Sequence, residues 1–359
     1  MDFALPEETR LLQESLGRFL QDRYPLARRH EAASLPFGYD PATWAAFAEL
    51  GAIAALFPEE AGGLGGTGLD IATVFEALGR ALVTEPFLAT LMAGTVLASA
   101  GRADLLAPAI EGKSRIAFAH YEPGARYDHT QVETRAEGGW RLTGAKAVVP
   151  NGGEADTLVV SAHAPAGLAL FLVEAGAPGL VCRSTPTIDG LRVAEITLDA
   201  TPATLLAEGA EPLVEDAIAA GLLALSAEAL GAMEIARDTT LAYLGTRRQF
   251  GVPIGSFQAL QHRMADLMID IEQIRSAVIN AAAAFEAGGT GRDRALAAAK
   301  HMAGRVGRRL AEEAIQMHGG MGMTWEYPIG HYAKRLVMID HCLGDARHHL
   351  ERFAGIADG

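Results

Sequence analysis

Cysteine is scarce in this chain, and its two cysteines form no motif. Cys182 and Cys342 lie far apart and lack the spacing of metal ligands. Their scarcity argues against a disulfide framework or a zinc site, and it favours a reducing compartment. The histidines between His318 and His349 have no metal-ligand spacing either, so we expect no metal.

Positive charge is also in deficit. The formal net charge is −14, whereas nucleic-acid-binding proteins usually present a basic surface. The cations between Arg292 and Arg309 are expected to form a solvated helix face. We therefore expect no nucleic-acid partner.

Long apolar runs are absent as well. The longest tracts, such as residues 217–227, are bounded by Asp216 and Glu228 and are too short to span a bilayer. No positively charged leader followed by an apolar run opens the sequence. We therefore expect no membrane association and a cytoplasmic location.

The chain is long enough to bury a sizeable core, because half of its 359 residues are hydrophobic. Helical periodicity extends to about residue 111, short β-rich runs follow between residues 115 and 206, and helical texture returns from about residue 211. The sequence predicts an α+β fold. It comprises an N-terminal helical domain (1–113), a central antiparallel β-sheet domain (114–208) and a C-terminal four-helix bundle (209–359).

Two short segments near the C-terminus carry the most chemical information: RRQFG at 247–251 and QMHGGMG at 316–322. Arg247 offers forked donors that suit phosphate oxygens, and Gly319 and Gly320 let backbone N–H groups approach a ligand closely. Taken singly, an Arg-Arg pair is usually a solvated face and Gly-Gly-x-Gly a helix terminus. Together they indicate a dinucleotide site. An amphipathic helical stripe follows the first segment, with apolar residues at Phe257, Leu260, Met264, Leu267, Met268, Ile271, Ile274 and Val278.

The whole chain resembles the acyl-CoA dehydrogenase family. The likeness includes PEEAGGLG at 58–65, both segments above and EYP at 326–328. Within the family the chain resembles the small subunits of heteromeric members such as pimeloyl-CoA dehydrogenase, through AFAH at 117–120 and GVPIGSFQ at 251–258.

The resemblance implies FAD as cofactor, an acyl-CoA substrate and a role in fatty acid β-oxidation. It also implies a homologous large subunit in a heterotetramer and an electron-transfer flavoprotein as electron acceptor. The cofactor residues it implies, all for the ADP half of FAD, are Arg247, Phe250, Phe257, Gln258, Gln316, Gly319 and Gly320. Gln258 and Gln316 could instead be surface amides, and Phe250 could be a core residue.

The catalytic base of the resembling family is missing. Counted without gaps, its two alternative positions fall on Leu343 and Gly221, and neither side chain can abstract a proton. Leu222 likewise stands where the family often has Arg.

The flavin-ring side departs from the family too. Val148 and Pro150 stand where many members have Trp and Thr, and Tyr121 and Tyr127 replace a Thr and a Ser. Proline has no N–H to donate. The pattern favours a subunit that binds the ADP half of a neighbouring subunit's FAD and no longer binds a flavin ring of its own.

Two other readings stay open. A homomeric dehydrogenase could use a displaced carboxylate, for which Asp216 is the candidate and Asp340 and Asp345 are further acidic neighbours of the vacant positions. Alternatively, the chain is a non-catalytic flavin-binding scaffold. The sequence does not decide between dicarboxyl-CoA, steroid side-chain CoA and ordinary fatty acyl-CoA substrates.

Overall fold

The computed structural model describes residues 6–356, which divide into two compact units. The first unit contains the described residues up to Arg29, the segment Gly68–Val83 and the residues from Leu222 onward. The second contains His30–Thr67 and Thr84–Gly221. The division into segments 1–113, 114–208 and 209–359 stays a prediction.

The elements follow the predicted order of helices, sheet and helices. The described α-helices are α1 Glu7–Arg23, α2 Leu26–Ser34, α3 Pro41–Glu49, α4 Gly68–Ala81, α5 Phe87–Ser99, α6 Ala103–Ile110, α7 Glu211–Thr246, α8 Gln258–Ala284, α9 Gly289–His318, α10 Ile329–His341 and α11 Ala346–Gly355. The described strands are β1 Ile116–Ala119, β2 Arg135–Glu137, β3 Arg141–Pro150, β4 Thr157–Ala164, β5 Gly167–Glu174, β6 Leu180–Pro186, β7 Arg192–Pro202, β8 Thr204–Glu208, β9 Arg248–Gln249 and β10 Val252–Pro253.

Strands β1 to β8 form one sheet in the second unit. Its order is β6-β7-β3-β2-β4-β5-β8, and β1 pairs with β4 beside this path. Most pairings are antiparallel as predicted, but β1 and β2 lie parallel to β4, which residue alternation alone does not reveal. The sheet's core includes the fully buried Leu142 and Phe171, so alternate side chains of its strands supply the hydrophobic layer.

In the first unit, α4 and α7 cross at very short distance because glycines line their contact. A Cβ on Gly79 would lie 2.0 Å from the carbonyl oxygen of Glu228, and one on Gly231 would lie 2.0 Å from that of Glu76. No larger residue fits at either position without moving a backbone.

The C-terminal helices pack on α9 and carry one buried ion pair. Arg335 of α10 forms two hydrogen bonds of 2.6 Å with the carboxylate of Glu228 on α7. Both side chains are almost fully buried, so the bidentate geometry fixes the position of α10 against α7. Beyond the predicted four-helix bundle, the short α11 adds a fifth helix.

The predicted apolar stripe of α8 lies mostly in the core. Met264, Leu267, Ile271, Ile274 and Val278 are buried. The stripe is wrong at one edge, because Met268 is 45% exposed and the neighbouring Ile269 is 58% exposed. The apolar surface of this helix is thus wider than the face that its own chain covers.

Helix α7 is long and apolar enough to cross a membrane by length and composition alone. However, 94% of its most apolar stretch of 18 residues is buried within the protein. Such burial is typical of a core helix, and α7 therefore gives little support for a membrane span.

Candidate functional site

The first cofactor segment forms a hairpin directly after α7. The N–H of Arg247 donates to the carbonyl of Tyr243 at 2.8 Å, and the N–H of Ile254 donates to the carbonyl of Arg247 at 2.8 Å. Strands β9 and β10 pair antiparallel between these two contacts. Phe250 and Gly251 form the tip with φ of 53° and 83°, as a two-residue hairpin turn with positive φ at both positions requires.

The hairpin presents an arginine and a phenylalanine to solvent. Arg247 is exposed, and Phe250 is 92% exposed, which excludes the alternative that Phe250 is a core residue. Its ring meets that of Phe257 edge to face with 6.3 Å between centroids. Gln258, the first residue of α8, is also exposed.

The second cofactor segment contains the end of α9, followed by Gly319 and Gly320, which carry no side chains. Gln316 is exposed, and the helix stops at Gly319, whose φ is 61°. A Cβ on Gly319 or Gly320 would meet no atom within 4 Å. The N–H of Gly319 is used within the protein, since it donates to the carbonyls of Ile315 and Gln316. What the two glycines provide is open space, which lets a ligand approach the backbone closely.

Two aromatic side chains join the stems of these segments. Tyr243 stacks on His318 with 4.4 Å between ring centroids, and its hydroxyl donates to the carbonyl of His318 at 3.3 Å. Tyr243 lies one turn before Arg247, and His318 directly precedes Gly319. The two segments are therefore anchored in one packed cluster. Sequence reasoning missed this cluster because Tyr243 lies outside the first segment and no local pattern pairs it with His318 of the second.

His318 is neutral in this cluster. Its Nδ1–H donates to the carbonyl of Ala314 at 2.7 Å, and its Nε2 is buried without a hydrogen-bond partner among the described residues. Burial lowers the pKa of His318 below its usual value. The ring therefore acts as a packing surface at physiological pH, and the cation of the site is Arg247.

The two positions at which the sequence predicts a missing base lie in different surroundings. Leu343 belongs to the loop between α10 and α11 and has φ of 56°, a left-handed conformation that is strained for a leucine. Gly221 is buried within α7.

The acidic residues near the Leu343 loop hold the backbone. The carboxylate of Asp340 is buried, pairs with Arg308 and accepts the N–H of Ala346 at 2.9 Å. Asp345 caps α11 by accepting the N–H of His348 at 2.8 Å. Neither carboxylate is therefore poised as a free proton acceptor. Asp216 is half-buried on α7.

The residues that replace the family's flavin-ring seat lie in the second unit. Val148 sits at an irregularity in β3, between Lys146 and Val149, with φ of 54°, and is 62% exposed. Left-handed backbone is unusual for a β-branched residue. The N–H of Ala147 donates to the carbonyl of Tyr121 at 2.8 Å, so the two replaced segments are neighbours.

A buried ammonium group anchors this neighbourhood. Lys146 is 1% exposed. Its Nζ donates to Glu122 Oε1 at 2.7 Å, to Ser161 Oγ at 3.0 Å and to the carbonyl of His120 at 3.1 Å. All three protons are used. Burial lowers the pKa of Lys146 to about 8, although Glu122 acts in the opposite direction.

The other groups of this network tie down the segment that follows β1. The carboxylate of Glu122 accepts the N–H of Glu133 at 2.6 Å, and the N–H and hydroxyl of Thr134 at 3.0 and 2.6 Å. His120 Nε2–H donates to the carbonyl of His129 at 2.8 Å. These polar contacts therefore fix the position of residues 120–134, which include Tyr121 and Tyr127. The sequence signal for this network was the presence of His120 and Glu122 in a β-rich run.

The observed residues fit the ADP half of FAD and not a conventional ring seat. Exposed Arg247 matches a pyrophosphate's need for positive charge, and the open space at Gly319 and Gly320 lets a ligand approach the backbone closely. By contrast, Pro150 supplies no N–H and Val148 supplies no flat platform. Among residues 6–356, no group of three or more His, Cys, Asp or Glu residues is arranged to bind a metal.

Three family models match nearly the whole chain. They describe the acyl-CoA dehydrogenase N-terminal domain at residues 6–107, middle domain at 117–201 and C-terminal domain at 212–349. The fold and these matches define a flavin-dependent dehydrogenase architecture. The chain belongs to the acyl-CoA dehydrogenase family.

Individual relatives agree with this assignment. The chain is 32% identical to acyl-CoA dehydrogenase IpdE2 of Mycolicibacterium smegmatis, over 97% of this chain and 98% of the relative. It resembles the solved Tcur3481–Tcur3483 steroid ACAD with a TM-score of 0.89 and 34% identity, covering 98% of this chain and 97% of that chain. The ChsE4–ChsE5 complex of Mycobacterium tuberculosis matches with a TM-score of 0.90 and 27% identity, over 99% and 98% of the two chains.

Proposed function

We propose that this chain is the subunit of a heteromeric FAD-dependent acyl-CoA dehydrogenase that lacks the catalytic base. A homologous large subunit supplies the base and the acyl-CoA pocket. The observation that carries the proposal is the identity of the residues at the expected base positions. Leu343 has a hydrocarbon side chain and Gly221 has none, so neither can accept a proton.

Oxidation of the Cα–Cβ bond of a thioester needs a carboxylate for the α-proton, donors for the thioester carbonyl and an acceptor for the β-hydride. FAD supplies hydride acceptance when it is bound. This chain's own contribution is binding. Arg247 would neutralise phosphate charge, and Gly319 and Gly320 would let the ADP half approach the backbone closely, beside Phe250, Phe257, Gln258 and Gln316.

Two solved relatives have names that combine two proteins, and these relatives support a partner subunit. The ChsE4–ChsE5 complex and the Tcur3481–Tcur3483 steroid ACAD both match over nearly their whole chains. We propose the same kind of assembly, a heterotetramer of two unlike pairs, for this chain. An electron-transfer flavoprotein in the cytoplasm would then accept the electrons.

The word steroid in the name of one relative favours a steroid side-chain CoA ester as substrate. The likeness to pimeloyl-CoA dehydrogenase small subunits favours a dicarboxyl-CoA instead. Both substrate classes belong to β-oxidation, and both should be assayed beside a straight-chain fatty acyl-CoA.

The first experiment compares the chain purified alone with the chain co-expressed with a homologous dehydrogenase subunit. Dye reduction by an acyl-CoA should be negligible for the chain alone, because loss of a positioned base costs about a hundred- to ten-thousand-fold in rate. Full turnover by the pure homomer would refute the proposal. If the homomer is active and Asp216→Asn abolishes that activity, the displaced-base alternative is correct.

The second experiment measures flavin absorbance against protein mass in the purified complex. One FAD for each pair of unlike chains is expected, because this chain has lost the ring platform at Val148 and a donor at Pro150. A ratio near one FAD for each chain would show that the subunit seats its own flavin. A complex that binds FAD but never turns over any acyl-CoA would favour the scaffold alternative.

A further inference from the structure

Helix α11 is attached to the first unit with very little apolar burial. Of its ten residues, only His349 is buried. Two of its contacts with α9 are polar or cationic: His301 Nδ1–H donates to the carbonyl of Ala346 at 2.8 Å, and the Arg294 guanidinium lies 4.4 Å from the ring centre of Phe353. Polar groups therefore contribute to the docking of α11 together with the burial of His349.

His349 occupies the centre of this attachment in its neutral form. Its Nε2–H donates to the carbonyl of Leu343 at 2.8 Å, while its Nδ1 is buried and has no hydrogen-bond partner among the described residues. Gly344 makes room for the ring. A Cβ on Gly344 would lie 2.5 Å from Nε2, and its φ of 109° also excludes most side chains.

A buried lysine faces the same loop. Lys300 is 0% exposed, and its Nζ donates to the carbonyls of Gly344 at 2.6 Å and Asp340 at 3.1 Å. The ammonium group thus stabilises the C-terminal end of α10, where carbonyl groups lack helical partners. Burial lowers the pKa of Lys300 to about 8, so the group is still charged at pH 7.

We propose that α11 is a pH-sensitive latch: it docks on α9 only while His349 is neutral, and protonation of His349 releases α11 together with the loop 342–345.

The physical reason is that the proton has no acceptable place in the docked state. A proton on Nδ1 would be a buried donor without an acceptor and would put a second positive charge in a dry site near Lys300. Burial, followed by the charge of Lys300, lowers the pKa of His349 to about 3 in the docked helix.

The surrounding charges do not reverse this preference. On α9 they are Lys300, His301, Asp293, Arg294 and Arg308; on α10, Asp340 and Arg335; in the loop, Cys342 and Asp345; on α11, Arg347, His348, Glu351 and Arg352. Asp340 is engaged by Arg308 and the N–H of Ala346, and Asp345 caps α11. Asp293 pairs with Arg352 at 3.7 Å. In the part of the chain that the structure describes, no carboxylate is hydrogen-bonded to His349 or Lys300.

The sign of the pH effect follows from these states. In an undocked helix the ring is solvated and has a pKa of about 6.5. Because docking depresses this pKa, its contribution to docking is fully present above pH 6.5 and is lost as pH falls towards 3. The opening constant of α11 should therefore rise about tenfold for each pH unit below 6.5, or about 25-fold between pH 7 and pH 5.

Hydrogen–deuterium exchange of the full-length protein tests the latch. Peptic peptides from residues 342–356 should lose protection by about 25-fold between pH 7 and pH 5, after correction for intrinsic exchange rates. Peptides from α7 should not change. His349→Gln retains an N–H donor for Leu343 but cannot be protonated, so its α11 protection should be independent of pH. His341→Gln, at an exposed histidine at the end of α10, is the control and should retain the wild-type response.

The variant Lys300→Met provides an independent test of the latch. Loss of the neighbouring charge makes a protonated His349 easier to accommodate in the docked helix, so the rise in the opening constant from pH 7 to pH 4 should be smaller than in the wild type. The lost hydrogen bonds should weaken docking at every pH. Unchanged wild-type protection between pH 7 and pH 5, or an equal pH response in His349→Gln, overturns the proposal. If His349→Gln does not dock at pH 7, the comparison of wild type with Lys300→Met decides, and a pH response in Lys300→Met as large as that of the wild type overturns the proposal.

Discussion

Replacing the buried lysine of the β-sheet unit should destabilise the protein strongly. Lys146→Met keeps the length of the side chain and removes its charge, so Glu122 stays buried without its cation. Breaking a buried ion pair from one side costs about 3–5 kcal/mol. Glu122 retains the N–H groups of Glu133 and Thr134 and the Thr134 hydroxyl, so we expect the lower end, about 3 kcal/mol.

Urea unfolding of wild type, Lys146→Met, Glu122→Gln and the double variant measures this cost. The double variant should lose less than the sum of the single losses, with a coupling of about 1–3 kcal/mol, because it leaves no buried charge unpaired. Additive losses would refute the assignment of Lys146 and Glu122 as one energetic unit. A single-variant loss below about 1 kcal/mol would show that water reaches the site.

Three further changes test the cofactor site, the strained strand and the helix crossing. Arg247→Ala should weaken FAD retention in the assembled complex by about 1.5–3 kcal/mol, since a charge-assisted phosphate contact is lost; unchanged flavin content after dialysis would contradict the assignment. Val148→Asn should raise stability to urea by about 0.5–1 kcal/mol, because asparagine tolerates the left-handed backbone; a loss would contradict the strain. Gly231→Ala should cost about 1–3 kcal/mol by urea unfolding, whereas Gly245→Ala, with open space on the same helix, should be neutral or stabilising; equal effects would contradict the crossing.

Much of the cofactor segment could be predicted from the sequence because its chemistry is local. Gly319 terminates a helix through its own backbone freedom. The tight turn at Phe250 and Gly251 was not predicted, because phenylalanine rarely adopts positive φ. Local signals also placed the β-rich run between two helical regions. They did not reveal that β1 and β2 run parallel to β4, because strand direction depends on the path of the chain between strands.

Other features depended on residues far apart in the sequence. Lys146 meets Glu122 and Ser161 only because strands bring them together, and nothing in the sequence distinguishes this lysine from a solvated one. The α8 stripe correctly included Met264 but also included Met268, because periodicity gives a helix face and not the width that neighbours cover.

The sequence by itself determined the family, the order of the elements and the identity of the residues at positions 343 and 221, neither of which can accept a proton. These properties follow from residue identity and short-range backbone preference. Only the tertiary structure decided that Asp340 and Asp345 serve the backbone, that Tyr243 joins the stems of the two cofactor segments, and that His349 lies neutral near Lys300. Burial and long-range contact set those roles, because desolvation changes the energy of a charge far more than its neighbours in sequence do.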